Sequence, residues 1–568
     1  MNNSTLFIVL NRMRAPLMVL IITYTISIIG FLLIDGQDDH GNVYRMNIFD
    51  AFYVVTYTAT TIGFGELPYE FTYGQRIWMS MIVYATVMGW FYSLGSLVSL
   101  FQDKHLQAQL AESRFRKQMK NMNQKFLIVL GYNYTTSEII KKANAEGIRT
   151  VVIEKDPNKI NELHLENFTP SVPCLMGDVH DPESLQKAGL NSPNCKAVIS
   201  LFEDDNLNLQ VALNSKFLNK NVKLAIKTTT HSQSEDLKDL GVEVVENPFE
   251  IIAEQIDMAL RNPHLLILER WIHGVSKLDD HILDLPKGGK YVVYGFGKLG
   301  RKIHEVLTNN GIECIFIKPI SEDINVVPKD MLHLVKTEGR DEKELLIESD
   351  IANADAIIAR TFSDTLNLSI LTSARKLNPN IITISRENEL ADLSVFKNAK
   401  IDMIFIPPKV LIDKTTTALI SPYSHMFLEL VKNEDNADST RNIVEKILTE
   451  VGAEPLTFGT VLSKDKSYAI WNSIVNKKRK VTLDVLRRSR RDWTQTNRIV
   501  PLLLMRNHRK FLLPDWEMEI QLGDKILFVA DENAKDDCRW IAKNVYEFFY
   551  VYFGKEKNMF NKLFKGKY

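Results

Sequence analysis

Six consecutive residues, Thr60-Thr61-Ile62-Gly63-Phe64-Gly65, combine types that suit ion coordination by backbone oxygen. An ion entering a pore must shed water, and stacked carbonyls can replace that water. Aiming successive carbonyls the same way requires unusual dihedrals at alternate residues, and Gly63 and Gly65 supply that freedom. Ile62 and Phe64 can then turn away from the axis and pack behind it. The Thr61 hydroxyl can add an innermost oxygen ring. The competing reading is an ordinary glycine-containing turn, and the flanking segments decide between the two.

A second set of residues suits phosphate. Tyr291-Val292-Val293-Tyr294 reads as a buried strand, and Gly295, Gly297 and Gly300 follow it in GxGxxG spacing at the start of a predicted helix. Such glycines serve a tight turn, a close phosphate approach and helix–strand packing, with the helix N-terminus facing the phosphates. The next strand ends at Lys318 rather than an acid, so ribose recognition of the NAD kind is not required and ADP fits equally. Arg340 can add charge to a phosphate. An earlier turn, Gly131-Tyr132-Asn133-Tyr134-Thr135-Thr136, keeps only the first glycine but retains an acid, Glu154, after its second strand. That turn reads as a structural version of the same unit. A glycine-rich packing turn without ligand is the bland alternative for both.

The elements that must position the first set are apolar. Ala15 to Ile34 is uncharged and long enough to cross the hydrocarbon as a helix. Arg12 and Arg14 precede it, which predicts a cytoplasmic N-terminus. Ile77 to Phe101 is a second uncharged run, followed by Lys104, Arg114, Arg116, Lys117 and Lys120, so the chain behind it is also expected in the cytoplasm. Between them, Ile48 to Ala59 is apolar but too short to span, and Asp50 lies where a helix dipole favours a carboxylate. It reads as a re-entrant helix, and the non-helical backbone after it is tolerated at membrane depth only beside protein or an aqueous path. Gly89 and Gly95 on the second span are each a gating hinge or a close helix contact.

The remainder alternates short apolar strands with helical stretches, the pattern of βαβ units and a parallel sheet. It also repeats. The stretch from Ala197-Val198-Ile199-Ser200 through Asp205-Asn206-Leu207-Asn208-Leu209 aligns without gaps on Ala356-Ile357-Ile358-Ala359 through Asp364-Thr365-Leu366-Asn367-Leu368. The chain has 568 residues, a net charge of −1 and no basic excess, which argues against a nucleic-acid partner. Its four cysteines, Cys174, Cys195, Cys314 and Cys538, are scattered and form no metal-binding spacing. Asp204, Asp205, Asp279 and Asp280 are the available carboxylates for a divalent ion such as Ca²⁺, but they form no calcium loop. No metal site is assigned beyond K⁺ at the filter.

The filter and its surrounding helices resemble the potassium-channel family, whose filter is TVGYG preceded by Thr; Ile62, Phe64 and Glu66 depart from that pattern. The two repeats resemble RCK domains, and Gly177-Asp178-Val179-His180-Asp181 is similar to that family's GDAxD segment, which makes Asp178 a further candidate ligand contact. Together they resemble prokaryotic two-span potassium channels with tandem RCK domains, the GsuK type. The resemblance implies an α-helical two-span pore joined to two α/β Rossmann-like RCK domains in a symmetric homotetramer in the cell (inner) membrane. The expected divisions are a pore domain at 1–101 (outer helix 15–34, pore helix 48–59, filter 60–66, inner helix 77–101), a linker at 102–124, RCK1 at 125–287, RCK2 with a C-terminal lobe at 288–533, and a helical tail at 534–568. It implies K⁺ as the permeant ion and an adenine nucleotide, NAD or ADP, as regulatory ligand. In RCK proteins the helix after each Rossmann unit, here starting at Asn247-Pro248 and at Ile406-Pro407, exchanges between neighbouring domains. The aromatic cluster Phe548–Phe553 is expected to pack on the protein. Two rival readings are a membrane-anchored NAD-dependent oxidoreductase, for which no catalytic constellation stands out, and a soluble regulatory subunit of a potassium transporter, which would not need residues 1–101.

Overall fold

The computed structural model describes residues 3–281, 283–318, 334–336, 341–388, 393–452 and 454–556. The N-terminal part is helical. An outer helix, Asn3–Leu33, is followed by a short hairpin (Gly36–Gln37 with Val43–Tyr44), a pore helix, Ile48–Ala59, and an inner helix, Tyr73–Gln102. Apolar spans long enough to cross a membrane occupy Asn11–Leu33 and Tyr73–Leu100. The outer helix starts well before the uncharged run that marks it in the sequence, because nothing in Asn3–Met13 breaks a helix, and it continues through Pro16. Thr72 begins the inner helix with a capping box, its partner being Gln75. A linker helix, Lys104–Lys120, follows directly.

Each α/β repeat carries a six-stranded parallel sheet. In the first, the strands are β1 (Phe126–Leu130), β2 (Arg149–Glu154), β3 (Cys174–Met176), β4 (Cys195–Ser200), β5 (Lys223–Lys227) and β6 (Val244–Glu246). In the second they are β7 (Lys290–Tyr294), β8 (Glu313–Lys318), β9 (Leu334–Lys336), β10 (Ala356–Ala359), β11 (Ile382–Arg386) and β12 (Met403–Phe405). Both sheets have the order 3-2-1-4-5-6, the dinucleotide-binding arrangement. Strands such as Phe126–Leu130 and Ala356–Ala359 are buried at every residue. This explains why they read as continuous apolar runs rather than alternating ones.

The repeat extends into hydrogen bonding. Asn208 donates to the Phe202 and Lys227 carbonyls at 2.8 and 3.0 Å, and Asn367 donates to those of Thr361 and Arg386 at 3.1 and 2.9 Å. Asp205 accepts from the Thr229 amide at 2.9 Å, and Asp364 from the Asn388 amide at 2.9 Å. These paired bridges tie the end of the fourth strand to the end of the fifth in both domains.

Two helix pairs join the domains: Pro248–Arg261 with Pro263–Ile272, and Pro407–Ile420 with Pro422–Glu434. The first helix of each pair packs on the glycine-turn helix of the other domain. Pro248–Arg261 lies against Lys298–Asn309, and Pro407–Ile420 lies against Tyr134–Ala145. The expected exchange of helices therefore takes place between the two domains of one chain. One apolar core runs through it, from Ile252 and Leu268 to Phe316, Phe427 and Val500.

A C-terminal lobe adds an antiparallel sheet of β13 (Leu456–Val461), β14 (Ile499–Arg506), β15 (Arg509–Leu512) and β16 (Lys525–Ala530) in the order β13-β16-β14-β15. The tail helices Glu532–Lys543 and Val545–Phe553 belong to its core, through Cys538, Ile541, Phe548 and Val551. The tail aromatics thus pack on protein, with the Arg479 guanidinium over the Phe553 ring at 4.6 Å.

Candidate functional site

The filter segment begins where the pore helix stops. Asn47 caps that helix by accepting from the Asp50 amide at 2.8 Å, and Tyr44 donates its hydroxyl to Asp50 at 2.6 Å. Asp50 is thereby fixed at the positive end of the helix dipole. At the other end the amides turn back. Thr61 donates to the Thr58 carbonyl at 3.0 Å, and Ile62 and Gly63 both donate to the Tyr57 carbonyl at 2.9 and 3.3 Å. The following backbone then alternates: Thr61, Gly63 and Gly65 have φ of 62°, 64° and 95°. A Cβ on Gly63 or Gly65 would meet nothing within 4 Å in the chain. Backbone conformation, not space, is what these glycines provide. Thr61 takes the same region without being glycine, which costs about 1–2 kcal/mol and is tolerated where surrounding structure over-determines it.

Phe64 turns back onto the pore helix. It stacks on Tyr53 with centroids 6.2 Å apart and meets Tyr57 edge-on at 5.7 Å. Tyr57 also donates its hydroxyl to the Gly65 carbonyl at 2.5 Å. A pore-helix tyrosine therefore supplies a hydroxyl brace that Phe64 lacks. Glu66, the other departure from the familiar pattern, accepts two bonds from Arg76 at 2.9 Å and one from the Phe71 amide at 2.8 Å. It pins the segment to the start of the inner helix.

The two glycines of the inner helix differ. A Cβ on Gly89 would lie 3.1 Å from the Thr23 hydroxyl of the outer helix, whereas one on Gly95 would meet nothing within 4 Å. Gly89 thus approaches the outer helix closely, and Gly95 does not. Sequence reading overlooked Gly30, whose Cβ would sit 2.0 Å from the Trp78 ring. Trp78 and Ser93 of the inner helix also donate to the Ser27 and Pro16 carbonyls at 3.1 and 3.0 Å.

In the second α/β domain, Gly295 has φ 105° and begins the turn after β7. Gly297 is the N-cap of Lys298–Asn309, and Gly300 lies in its first turn. A Cβ on Gly300 would be 3.0 Å from the Gly295 carbonyl oxygen, so this glycine sets helix–strand distance. It would also be 3.0 Å from a guanidinium nitrogen of Arg360. Arg360 follows β10 and is 1% exposed, which places a buried cation against the turn. A charged residue directly after a four-residue apolar strand, opposite Leu201 of the repeat, was the available signal. Lys318 ends β8; its side chain, and the whole of Arg340, lie outside the described residues.

The first domain's turn is built differently. Gly131 has φ 75°, and a Cβ there would be 2.6 Å from the Phe202 ring. Asn133 caps the next helix by accepting from the Thr136 amide at 3.0 Å, and Thr136 accepts from the Asn133 amide at 2.9 Å. Side chains thus occupy helix-end amides that a phosphate would use. The buried Glu154 accepts from the Lys155 and Asp156 amides at 2.7 and 2.8 Å, and Asp178 pairs with Lys155 at 2.7 Å. Asp204 caps a helix, Asp205 holds Thr229 and Asp280 accepts from the Lys277 amide. Among the described residues no His/Cys/Asp/Glu group is arranged to hold a metal.

The model of the TrkA-N domain matches this chain twice, over 127–248 and 291–407. These segments are the two sheets with their exchanged-helix starts. Both are TrkA-N domains. The chain is homologous to potassium-channel proteins. It is 25% identical to "Potassium channel protein 1" of Methanocaldococcus jannaschii over 269 residues, 47% of this chain and 75% of that one. It is 23% identical to "Voltage-gated potassium channel Kch" of Escherichia coli over 248 residues, 42% of this chain and 56% of that one. A solved structure of the GsuK channel covers 94% of this chain and 98% of its own, with TM-score 0.47 and 15% identity. In the numbering of this chain, the TrkA-N match begins inside β1 and β7 and ends at Pro248 and Pro407, the first residues of the exchanged helices.

Proposed function

We propose that this chain is one subunit of a homotetrameric, potassium-selective channel whose tandem TrkA-N domains gate the pore in response to an adenine nucleotide. The observation that carries this reading is the alternation of left-handed backbone at Thr61, Gly63 and Gly65, flanked by two spans. Alternate left-handed residues let successive carbonyls face one direction, the arrangement that replaces an ion's water. One such segment cannot surround an ion, and closed rotational symmetry of identical chains is the usual solution. Homology to potassium-channel proteins supports the ion. The chain sits in the cell membrane with both termini in the cytoplasm, as Arg12, Arg14 and the basic linker suggest.

Nucleotide binds at Gly295, Gly297 and Gly300 of the second domain. The N-cap there is a glycine, which leaves room at the helix end, and Arg360 supplies positive charge beside it. The first domain, whose helix end is self-capped, plays the structural part. Moving a pore from mostly closed to mostly open requires about 5.5 kcal/mol of differential binding. Divided among four equivalent sites this is about 1.4 kcal/mol each, roughly a tenfold preference for one state. Recording purified channels in liposomes with and without ADP or NAD⁺ tests the proposal. Open probability should change with at least one of them; K⁺ flux indifferent to both would leave a channel without nucleotide gating.

A further inference from the structure

A cavity of about 200 Å³ lies where the first domain's helix Pro263–Ile272 meets the end of the second domain's sheet. It is remote in sequence from every glycine of the two turns. From the first domain it receives Arg270 and His273; from the second it receives Lys397, Lys409, Asp402 and Asp413. Its walls are otherwise largely apolar, with Val275, Met403 and Val410 among them.

The charges in this cavity do not cancel. Asp402 is already engaged: Arg375 lies 3.1 Å away, and the Thr383 amide donates at 2.8 Å. Asp413 is ion-paired with Lys142 of the first domain through one carboxylate oxygen, and its other oxygen is buried without a hydrogen-bond partner, within the electrostatic reach of Lys409. Lys414, at the cavity's edge, is held by Glu254 at 3.2 Å. His273 is neutral, because burial draws its pKa down to about 4. Arg270, Lys397 and Lys409 remain, and among the described residues none of them has a carboxylate within 4.0 Å. Arg270 is half-buried in a partly apolar space, whereas Lys397 is exposed. Burial lowers its pKa and Asp280 offsets this only in part. A cation in low dielectric without a close counter-ion is costly, and a bound anion relieves that cost.

We propose that this cavity binds a phosphoryl dianion, free or as a small ester, and that the anion links the two TrkA-N domains of one chain. A dianion matches an excess of more than one positive charge better than a carboxylate does. The planar guanidinium of Arg270 can bond two phosphoryl oxygens, and Lys409, which lines the same cavity, adds a point charge. The apolar walls accommodate an ester's organic group. Because Arg270 and Lys409 come from different domains, an occupied site favours the domain arrangement in which both reach the anion. This gives the gating unit a second input, separate from the turn at Gly295.

The test uses full-length protein in detergent, saturated with ADP, at constant ionic strength. Inorganic phosphate, phenyl phosphate and benzoate are titrated calorimetrically. Phosphate or phenyl phosphate should bind one per chain without displacing ADP. Equal affinity for the two assigns the free ion, and tighter phenyl phosphate assigns an ester. Arg270→Gln and Lys409→Gln should each weaken binding about tenfold or more, with ADP affinity unchanged, while Arg270→Lys, which keeps the charge and loses the bidentate fork, should fall between wild type and Arg270→Gln. No binding to wild type, competition with ADP, benzoate binding as tight as phenyl phosphate, or unaltered affinity in both Gln variants would each overturn the proposal. The wild-type competition and Arg270→Lys keep the test decisive if a Gln variant does not fold.

Discussion

Gly300→Ala isolates what the second-domain turn does. Alanine is a better helix former than glycine by about 1 kcal/mol, so the helix Lys298–Asn309 itself gains. Against this, the new methyl would stand 3.0 Å from the Gly295 carbonyl oxygen and 3.0 Å from Arg360. Neither neighbour yields easily. Gly295 is committed to φ 105°, and Arg360 is 1% exposed with its side chain packed under the turn. The helix must therefore move outward by a few tenths of an ångström, which spoils the close approach of phosphate to the helix end. The two contributions to stability nearly cancel, leaving a net change within about 1 kcal/mol. Ligand affinity has no such compensation, and losing one charge-assisted hydrogen bond costs about 1.5–3 kcal/mol, tenfold or more. Calorimetric titration of ADP and NAD⁺, together with thermal unfolding, reads both effects. Unchanged affinity for a ligand that wild type binds would refute the assignment of this turn. A large fall in midpoint would show instead that Gly300 serves only packing.

Further outcomes follow from other contacts. Gly89→Ala should weaken the inner–outer helix pair through Thr23, whereas Gly95→Ala, whose methyl meets nothing within 4 Å in the chain, should leave the gel-filtration profile unchanged and alter only open probability. Glu269 is fully buried between Lys432 at 2.9 Å and Lys414 at 3.7 Å. Glu269→Gln leaves the partly buried Lys414 and Lys432 with Glu254 as their remaining carboxylate, and the chain should lose measurable stability in urea unfolding, less than the about 3–5 kcal/mol of a fully buried broken pair. The Lys414 and Lys432 charges overcome burial and hold Glu269 near a pKa of about 2. Its folded pKa is below its unfolded value, so its stabilisation is present at neutral pH and is lost as pH falls from about 4 toward 2. Glu246 is the opposite case, since burial raises it to about 7. Its contribution is complete below about pH 4.5 and is lost between there and pH 7, so Glu246→Gln should flatten the decline in unfolding midpoint between about pH 4.5 and 7.

Much of this architecture is legible in the chain. The spans, the short pore helix and the repeated strands are local apolar patterns, and the alternating backbone of the filter follows from where Gly63 and Gly65 stand. The unequal turns of the two domains were equally visible, because the first keeps only Gly131 where the second has Gly295, Gly297 and Gly300; that Asn133 and Thr136 cap the first helix end themselves is seen only in the fold. What escaped the sequence depends on pairing across distance. Gly30 reads as one more apolar-span residue until Trp78 is placed against it. Arg360 reads as the first residue of a loop until the parallel sheet sets it beneath Gly295. Glu269, Lys414 and Lys432 are ordinary charges on three helices, and only the exchange of those helices between domains buries them together. Tyr57 was counted as part of an apolar helix, and its hydroxyl acquires a task only when the backbone at Gly65 turns toward it.

The central claim is that the backbone at 60–65 conducts potassium. The purified chain in liposomes, loaded with K⁺ or with Na⁺ and followed by tracer uptake, tests it most directly. The account predicts K⁺ uptake well above protein-free liposomes, faster than Na⁺ uptake, and abolished in Gly63→Ala, whose left-handed residue costs about 1–2 kcal/mol in every subunit. K⁺ uptake no greater than in protein-free liposomes, or equal rates for the two ions, would contradict it.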